Sequence, residues 1–226
     1  MNIAIIGSGN VGLITGACFA DVGNKVICYD IDADKIQKFN DGKIDIYESG
    51  LNRLINKNLN SSLFFSEDIN HTVRQSDIIF LTVGTPMGKS GETNMEYMYS
   101  AAEDVGSSLK SSKLIVTKST IPVGETYKVK QIIQKHIIGN NVEFNIANNP
   151  EFLKEGKGIS DFMSPDRIVV GIDDPELMEV FSNLYRPFSV NHEKLIFMDI
   201  LSSELTKYAS NAMLATKISF INEMAI

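Results

Sequence analysis

The chain has 226 residues and a formal net charge of −7, which suffices for one large domain or for one domain and the beginning of another. Hydrophobic residues make up 43% and charged residues 22%, as in an ordinary globular protein. The lack of a long basic run argues against binding to nucleic acid or an anionic membrane, and no apolar stretch approaches the roughly 20 residues of a membrane helix. We therefore expect a cytoplasmic protein whose two cysteines, Cys18 and Cys28, are buried thiols rather than a disulfide or metal pair.

The chain begins with an apolar run that meets three glycines spaced G-x-G-x-x-G and continues into an apolar-periodic helix. We expect Gly7 to make the tight turn, Gly9 to let a pyrophosphate approach the backbone, and Gly12 to let the helix pack close to the sheet. The helix N-terminus then offers N–H groups and a positive dipole end to the phosphates. The pattern predicts a dinucleotide-binding unit, although a structural turn without a ligand has the same spacing.

A second predicted strand, residues 25–30, ends in Asp30, eighteen residues past Gly12. An acid near this offset binds a ribose 2′-hydroxyl and repels a 2′-phosphate, so it favours NAD over NADP. Asp32 is placed to cap a short helix that carries Lys35. Lys35 is within reach of the adenosine ribose or phosphate, but a solvated helix lysine fits the spacing equally well.

Strands and helices alternate along the rest of the chain. Strands are predicted at 63–65, 77–83, 114–118, 144–147, 167–170 and 195–198, and helices at 50–59, 95–110, from 125 through 137, and at 175–184. The nearly continuous apolar run at 77–83 is typical of a parallel strand covered on both faces. We predict a Rossmann-like, doubly wound, mostly parallel α/β sheet over residues 1–200, followed by a long helix that begins at Ser202 or Ser203 and is still running at Ile226.

Three strand ends should bring polar residues to one edge of this sheet, where ligands bind in open α/β folds. These residues are Thr85, Thr120 and the pair Glu151 and Glu155. Two carboxylates beside a bound nicotinamide are suited to acid–base work, because burial near each other raises the pKa of at least one. The spacing is equally compatible with solvent-facing charges on a turn.

The predicted last helix carries Lys207 and Asn211 at positions i and i+4, which share one face. A buried lysine and amide on one face are suited to binding a developing oxyanion. The same spacing fits a surface lysine beside an asparagine, with Glu204 and Lys207 forming an i,i+3 ion pair.

Six stretches, in order along the chain, resemble the nucleotide-sugar dehydrogenase family. They are GSGNVG at 7–12, VGTP at 83–86, KSTIPVG at 118–124, NPEFLKEG at 149–156, SPDRIV at 164–169, and SELTKY at 203–208 continuing to Asn211, residues 218–220 and residues 222–223. The resemblance implies oxidation of the C6 alcohol of UDP-glucose to a carboxylate, with two hydride transfers to NAD⁺.

The resemblance also implies roles for individual residues. To the cofactor it assigns the glycine loop with Asn10 and Val11, and further Asp30, Lys35, Thr85, Ser119, Thr120 and Glu155. To the sugar it assigns Glu151, Phe152, Leu153, Lys154, Lys207 and Asn211. Its catalytic set is Thr120, Glu151, Glu155, Lys207 and Asn211, in which Lys207 and Asn211 polarise the C6 oxygen and Glu155 acts through a water.

The family's nucleophilic cysteine and its UDP-binding C-terminal domain both follow the long helix, and neither lies within residues 1–226. Cys18 and Cys28 lie on elements that cannot substitute for that cysteine. We therefore expect an N-terminal portion that is inactive by itself. Its last helix, with Leu214, Ile218 and Ile221 on one stripe, is expected to form a homodimer; alternatively the stripe covers only its own domain.

Other functions remain compatible with these residues. Within the same family, GDP-mannose or a UDP-N-acetyl sugar would be the alternative substrate, and outside it a non-catalytic NAD-binding module is the alternative. A methyltransferase also has a glycine loop and an acid after its second strand, but it does not need the loop at 150–156 or Lys207. Asn94 stands where the family usually has an aspartate.

Overall fold

The computed structural model describes residues 1–139, 142–189 and 194–225. The strands in these residues are β1 (Asn2–Ile6), β2 (Lys25–Tyr29), β3 (Leu63–Ser66), β4 (Ile78–Leu81), β5 (Leu114–Thr117), β6 (Asn145–Asn148), β7 (Ile168–Ile172) and β8 (Leu195–Met198). The helices are α1 (Asn10–Asp21), α2 (Ala33–Asn40), α3 (Leu51–Asn58), α4 (Ile69–Arg74), α5 (Glu96–Ser108), α6 (Glu125–His136), α7 (Gly158–Met163), α8 (Leu177–Tyr185) and α9 (Ile200–Met224), with a 3₁₀ turn at Arg186–Phe188.

The strands form one sheet in the order β3-β2-β1-β4-β5-β6-β7-β8. Every neighbouring pair is parallel except β6 and β7, which run antiparallel. The chain winds outward from β1 in one direction through β2 and β3, and in the other from β4 onward. This confirms the predicted Rossmann-like, mostly parallel sheet with a long C-terminal helix, and it places a topological switch point between β1 and β4.

The central strands β4 and β5 are buried on both faces and read as apolar runs, whereas the edge strands β3 and β8 are partly exposed. Along β1, Ile3 and Ile5 pack into one hydrophobic cluster with α1, α3, α7 and α8. Ala4 and Ile6 pack into the other with α5 and α6. Phe19 lies at the centre of the first cluster, with ring centroids 5.3–5.9 Å from its aromatic neighbours on β4, α7, α8 and the 3₁₀ turn.

The structure departs from the predicted elements mainly at short helices. Helix α4, capped by Asp68, and helix α7 were not predicted, because six residues are too few for helical periodicity to stand out. Helix α9 begins at Ile200, earlier than predicted, because the Asp199 carboxylate accepts a hydrogen bond from the Ser202 N–H and caps the helix. Helix α9 ends at Met224 with Ala225 as its C-cap, and Ile226, where the helix was predicted to be still running, lies outside the described residues.

Candidate functional site

The glycine loop after β1 has two glycines that the fold itself requires and one that it does not. Gly7 has a φ of +99°, and a Cβ there would lie 2.8 Å from the Val83 nitrogen. A Cβ on Gly12 would lie 2.0 Å from the Gly7 carbonyl oxygen. At Gly9, by contrast, no heavy atom lies within 4 Å of where a Cβ would be. The space beside Gly9 is therefore open to a group from outside the protein.

Helix α1 begins directly at this open space. Its first residues are Asn10 and Val11, its N-cap is Gly9, and neither a side-chain cap nor an acidic residue occupies the first turn. The amide groups of a helix's first turn have no partner within the helix, and the helix dipole favours an anion beside them. This arrangement suits a phosphate group.

Asp30 and Lys35 lie together at the end of β2. One carboxylate oxygen of Asp30 accepts hydrogen bonds from the Ser8 N–H at 2.8 Å and from the Lys35 ammonium group at 2.5 Å. The other accepts a longer bond of 3.2 Å from the Asp32 N–H. Lys35 is therefore ion-paired rather than solvated, and Asp30 joins the glycine loop to the end of β2.

Asp30 and Lys35 line a cavity of about 250 Å³ between the C-terminal ends of β1, β2 and β4 and helix α5. Its other lining residues are Ile6, Gly7, Gly9, Tyr29, Ile31, Thr82, Val83, Gly84, Tyr97, Ser100, Ala101 and Asp104. Burial, and then the negative charges of Asp104 and Asp30, raise the pKa of Tyr29, so its hydroxyl stays protonated. An apolar cavity with a few polar groups at a switch point suits an adenosine.

The loops after β4 and β5 are held together by two side-chain hydrogen bonds. The Thr85 hydroxyl donates to the Thr120 carbonyl oxygen at 2.8 Å, and the Ser119 hydroxyl donates to the Val83 carbonyl oxygen at 2.6 Å. Thr85 and Thr120 are half-buried, whereas Ser119 is buried. All three therefore lie at the sheet edge where the sequence places them, next to Val83 and Gly84, which line the cavity that Asp30 also lines.

The half-buried Glu151 forms an ion pair with the buried Lys207, with 2.9 Å between Glu151 Oε1 and Lys207 Nζ. Glu151 Oε2 also accepts a hydrogen bond from the Leu153 N–H at 2.6 Å. The alternative of a surface lysine paired with Glu204 is thus wrong. Glu204 instead accepts hydrogen bonds from the N–H groups of Gly124 and Thr126 at the start of α6, at 2.6 and 2.8 Å.

The position of Lys207 follows from close packing of α9 on the sheet. Gly171 on β7 leaves no room for a side chain, since a Cβ there would lie 2.6 Å from the Ser203 Cβ. The Ser203 hydroxyl donates to Asn148 Oδ1 at 2.6 Å. These contacts bury one face of the first two turns of α9, which carries Ile200, Ser203, Glu204 and Lys207, and bring Lys207 against the loop after β6.

Lys207 and Glu151 line a second cavity at the C-terminal end of β5 and β6. Phe152, Leu153, Lys154 and Asn211 line it as well, and Asn211 is exposed on the outer part of α9. Two cations lie near the Phe152 ring, whose centroid is 4.3 Å from the Arg167 guanidinium carbon and 5.3 Å from Lys207 Nζ. Glu155 is exposed and does not line this cavity, so the structure does not bring Glu151 and Glu155 together as a buried pair.

Sequence reasoning missed two residues of this region. Lys118 is buried in the cavity wall, and burial lowers its pKa to about 8. The sequence could have indicated this residue, because Lys118 directly follows β5, a strand that is buried on both faces, and a lysine in such a position is a candidate functional residue. Glu48 is buried too, and its two carboxylate oxygens accept hydrogen bonds from the N–H groups of Gly156 and Gly158 at 3.0 and 2.8 Å. No local pattern marks Glu48, which belongs to a polar connecting segment.

Both cysteines are inaccessible. Cys18 and Cys28 are fully buried, and burial raises the pKa of each thiol well above its usual range. A buried neutral thiol is a poor nucleophile.

Across the described residues, no helix combines the length and apolar character needed to cross a bilayer.

The sheet, the glycine loop and the acid after β2 together define a dinucleotide-binding domain. Residues 1–189 match the NAD-binding domain, and residues 201–226 the central domain, of the UDP-glucose/GDP-mannose dehydrogenase family. UDP-glucose 6-dehydrogenase TuaD of Bacillus subtilis is 47% identical over 224 residues, an alignment that covers 99% of this chain and 48% of that protein.

Solved structures are similar over nearly the whole chain. A UDP-glucose dehydrogenase from Pyrobaculum islandicum matches with a TM-score of 0.93 and 35% identity, and a GDP-mannose dehydrogenase from Pseudomonas aeruginosa with 0.92 and 30%. Each match covers 99% of this chain and 52% of the other. The chain belongs to the UDP-glucose/GDP-mannose dehydrogenase family and carries its NAD-binding domain. It spans about half the length of the curated relatives that it matches.

Proposed function

We propose that this chain supplies the NAD site and one wall of the sugar site of an enzyme that oxidises the C6 alcohol of UDP-glucose to the carboxylate of UDP-glucuronate. The observation that carries the proposal is the ion pair between the buried Lys207 and Glu151, which line a cavity beside the strand ends that hold Thr85 and Thr120. Relatives named UDP-glucose 6-dehydrogenase support the substrate. We assign residues 1–200 to the NAD-binding domain and 201–226 to the start of a central helix.

The residues present fit NAD. The open space at Gly9 and the first-turn amides of α1 would hold the pyrophosphate, and the cavity lined by Asp30 would hold the adenosine. When bound, NAD⁺ would accept the hydride from the sugar carbon. Asp30 would bind the ribose through the oxygen that now accepts only the longer bond from the Asp32 N–H. Thr85, Ser119 and Thr120 would contact the nicotinamide half.

In the sugar site, Lys207 would donate a hydrogen bond to the C6 oxygen and stabilise the negative charge that develops there. Burial strengthens this effect, because few waters compete for the ammonium group. Asn211, one turn further along α9, would donate a second bond. Glu151 holds Lys207 in place, while Phe152, Leu153 and Lys154 contact the sugar. Glu155, which is exposed, would accept the alcohol proton through a water.

The second oxidation calls for a nucleophile at the aldehyde stage, which the family resemblance identifies as a cysteine thiolate. Cys18 and Cys28 are unsuited to this role, since both are fully buried and burial raises the pKa of both thiols. We therefore propose that residues 1–226 alone do not complete the reaction. As a separate point, we propose that the enzyme acts in the cytoplasm.

Helix α9 supports a homodimer. Residues 211–225 are all exposed, and Leu214, Ile218 and Ile221 are each more than half exposed. The alternative that this stripe covers its own domain is therefore wrong. An apolar stripe of this extent is stable in water when a second surface covers it, and we propose that a second copy of the chain does so.

The experiment is NADH formation by the complete gene product with UDP-glucose, GDP-mannose and UDP-N-acetylmannosamine as competing substrates. UDP-glucose should give the highest kcat/KM. A Lys207→Met variant should lower kcat by about 10²–10³-fold, the usual loss for one oxyanion-stabilising donor. Lys135→Met, on the exposed face of α6, is the matched control and should keep wild-type activity. Preference for GDP-mannose, or full activity in Lys207→Met, would contradict the assignment.

A further inference from the structure

The inner wall of the sugar cavity holds two lysines but one carboxylate. Lys118 is 4% exposed and Lys207 6% exposed, and the side chain of Glu151, which is paired with Lys207, is 15% exposed. The other charged residues that line the cavity are half or fully exposed, and their charges cancel: Lys154, Asp161, Asp166 and Arg167. The buried part of the cavity therefore has an excess of one positive charge.

Lys118 is the buried charge without an ionic partner. Its Nζ donates to the Asn149 Oδ1 at 3.0 Å and lies 3.4 Å from the Asn149 carbonyl oxygen. Among the described residues, no carboxylate oxygen lies within 4.0 Å of this Nζ, and Glu151 is already paired with Lys207. A buried ammonium held by neutral acceptors is costly unless an anion reaches it.

The surroundings of Lys118 hold its side chain in place. The Asn149 Oδ1 that accepts from Lys118 also accepts from the Tyr185 hydroxyl at 2.5 Å, and the Asn149 amide donates to the Val169 carbonyl oxygen at 2.8 Å. The Phe162 ring centroid lies 5.7 Å from the Lys118 Nζ. The lysine is thus fixed at the cavity wall rather than mobile.

We propose that Lys118 is the second cation of an anion subsite that binds the oxidised, carboxylate form of the sugar and so distinguishes the acid from the alcohol. The proposal rests on the proposed function. When the sugar's C6 oxygen engages Lys207, Glu151 keeps a positive neighbour in Lys118, and the cavity retains a net positive potential. A unit charge at several ångströms in a protein interior changes the affinity of an anion by about tenfold or more.

This subsite should depend on pH in the neutral to alkaline range. Burial lowers the pKa of Lys118 to about 8; the negative charge of Glu151 opposes that shift and the positive charge of Lys207 adds to it. Lys118 should then be charged in about nine of ten molecules at pH 7 and in about one of ten at pH 9. Tyr185 also faces this group, but burial raises its pKa, so it stays protonated throughout.

The test is calorimetric titration of the complete gene product with UDP-glucuronate and with UDP-glucose at pH 7 and pH 9. Both ligands share the UDP group, so a change in their affinity ratio reports on the sugar carbon alone. For the wild type, affinity for UDP-glucuronate should fall about tenfold from pH 7 to pH 9, while affinity for UDP-glucose changes little. Lys118→Met should bind UDP-glucuronate about tenfold more weakly at pH 7 and show no such fall. Lys118→Arg, which stays charged, should keep its affinity at both pH values.

Two results would overturn the inference: equal weakening of both ligands in Lys118→Met, which indicates a structural role, or an unchanged alkaline fall in that variant. Turnover assays on the same samples separate this inference from the proposed function. If the wild type oxidises UDP-glucose but Lys118→Met leaves the affinity ratio of UDP-glucuronate to UDP-glucose unchanged, only the anion subsite is refuted. If the affinity ratio changes as predicted but the wild type turns over no nucleotide sugar, only the proposed function is refuted. If neither ligand binds, both are refuted.

Discussion

Replacing Gly9 with alanine should weaken NAD⁺ binding while leaving the folded chain intact. The backbone at Gly9 has φ −77° and ψ −167°, which an L-residue adopts without strain, and no heavy atom lies within 4 Å of the added Cβ. Alanine in place of glycine at an N-cap lowers the unfolding free energy by several tenths of a kcal/mol, whereas the lower entropy of the unfolded chain raises it by about 0.4–1 kcal/mol. The unfolding free energy should therefore change by less than about 0.5 kcal/mol.

Gly12→Ala is the matched control in the same loop. Its Cβ would lie 2.0 Å from the Gly7 carbonyl oxygen and 2.9 Å from the Thr82 hydroxyl oxygen, both closer than any real contact. The helix must move away from the sheet to admit it, which should lower the unfolding free energy by about 3 kcal/mol or more. Unfolding in urea, followed by circular dichroism, measures both variants.

The effect on the cofactor follows from what the methyl group at Gly9 would displace. It occupies the open space in front of the first-turn amides of α1, so the pyrophosphate loses at least one hydrogen bond to a charged group, worth about 1.5–3 kcal/mol. NAD⁺ should bind about 10- to 150-fold more weakly, as measured by titration calorimetry. Wild-type affinity in a folded Gly9→Ala chain would refute the assignment of this space to the phosphates.

Four further outcomes are expected. Asp30→Ala should reduce the preference for NAD⁺ over NADP⁺ by about 1–2 kcal/mol, and equal affinity for both cofactors in the wild type would contradict its role. Glu48→Gln places an amide NH₂ against one of two backbone N–H groups, and it should lower the unfolding free energy in urea by about 1–3 kcal/mol. It should also raise the KM for UDP-glucose more than the KM for NAD⁺. An unchanged KM for UDP-glucose would mean that Glu48 contributes to stability and not to the sugar site. In the folded chain the pKa of Lys118 is about 8, against an ordinary value of 10.5. Between these two pH values the unfolded chain binds more protons than the folded chain, so the unfolding free energy should rise with pH. Lys118→Met should lack this part of the rise. Serine at both Ile218 and Ile221 should turn a dimer into a monomer in light scattering at tens of micromolar, and a monomeric wild type would count against the dimer.

The elements that short-range patterns define were predictable. Apolar runs located most of the strands, because a strand buried on both faces is apolar along its length. In β6 the run is only Ile146 and Ala147 between two asparagines. The spacing of Gly7, Gly9 and Gly12 predicted the turn between β1 and α1, since the geometry of that turn depends only on neighbouring residues. Helices α4 and α7 escaped because packing, rather than periodicity, holds so short a helix in place.

Partners of charged residues were harder to predict, because they come from distant parts of the chain. Glu204 has Lys207 three residues away on its own helix, yet it bonds to backbone groups that lie about eighty residues earlier. The start of α6 presents amide groups without partners at that point, and a carboxylate is more stabilised there than beside a lysine that Glu151 already occupies. Local spacing shows which residues can meet, but not which competing partner is nearer.

The sequence by itself therefore determined the fold class, the glycine loop, the acid after β2 and the resemblance to a family, all of which depend on the order and type of nearby residues. Only the tertiary structure decided that Lys207 is buried, that Lys118 joins it in one cavity wall and that Glu155 stays exposed. Burial and electrostatic environment are sums over groups that β5, the loop after β6, α8 and α9 bring together across the sheet. No stretch of sequence contains them, because they arise when those elements pack.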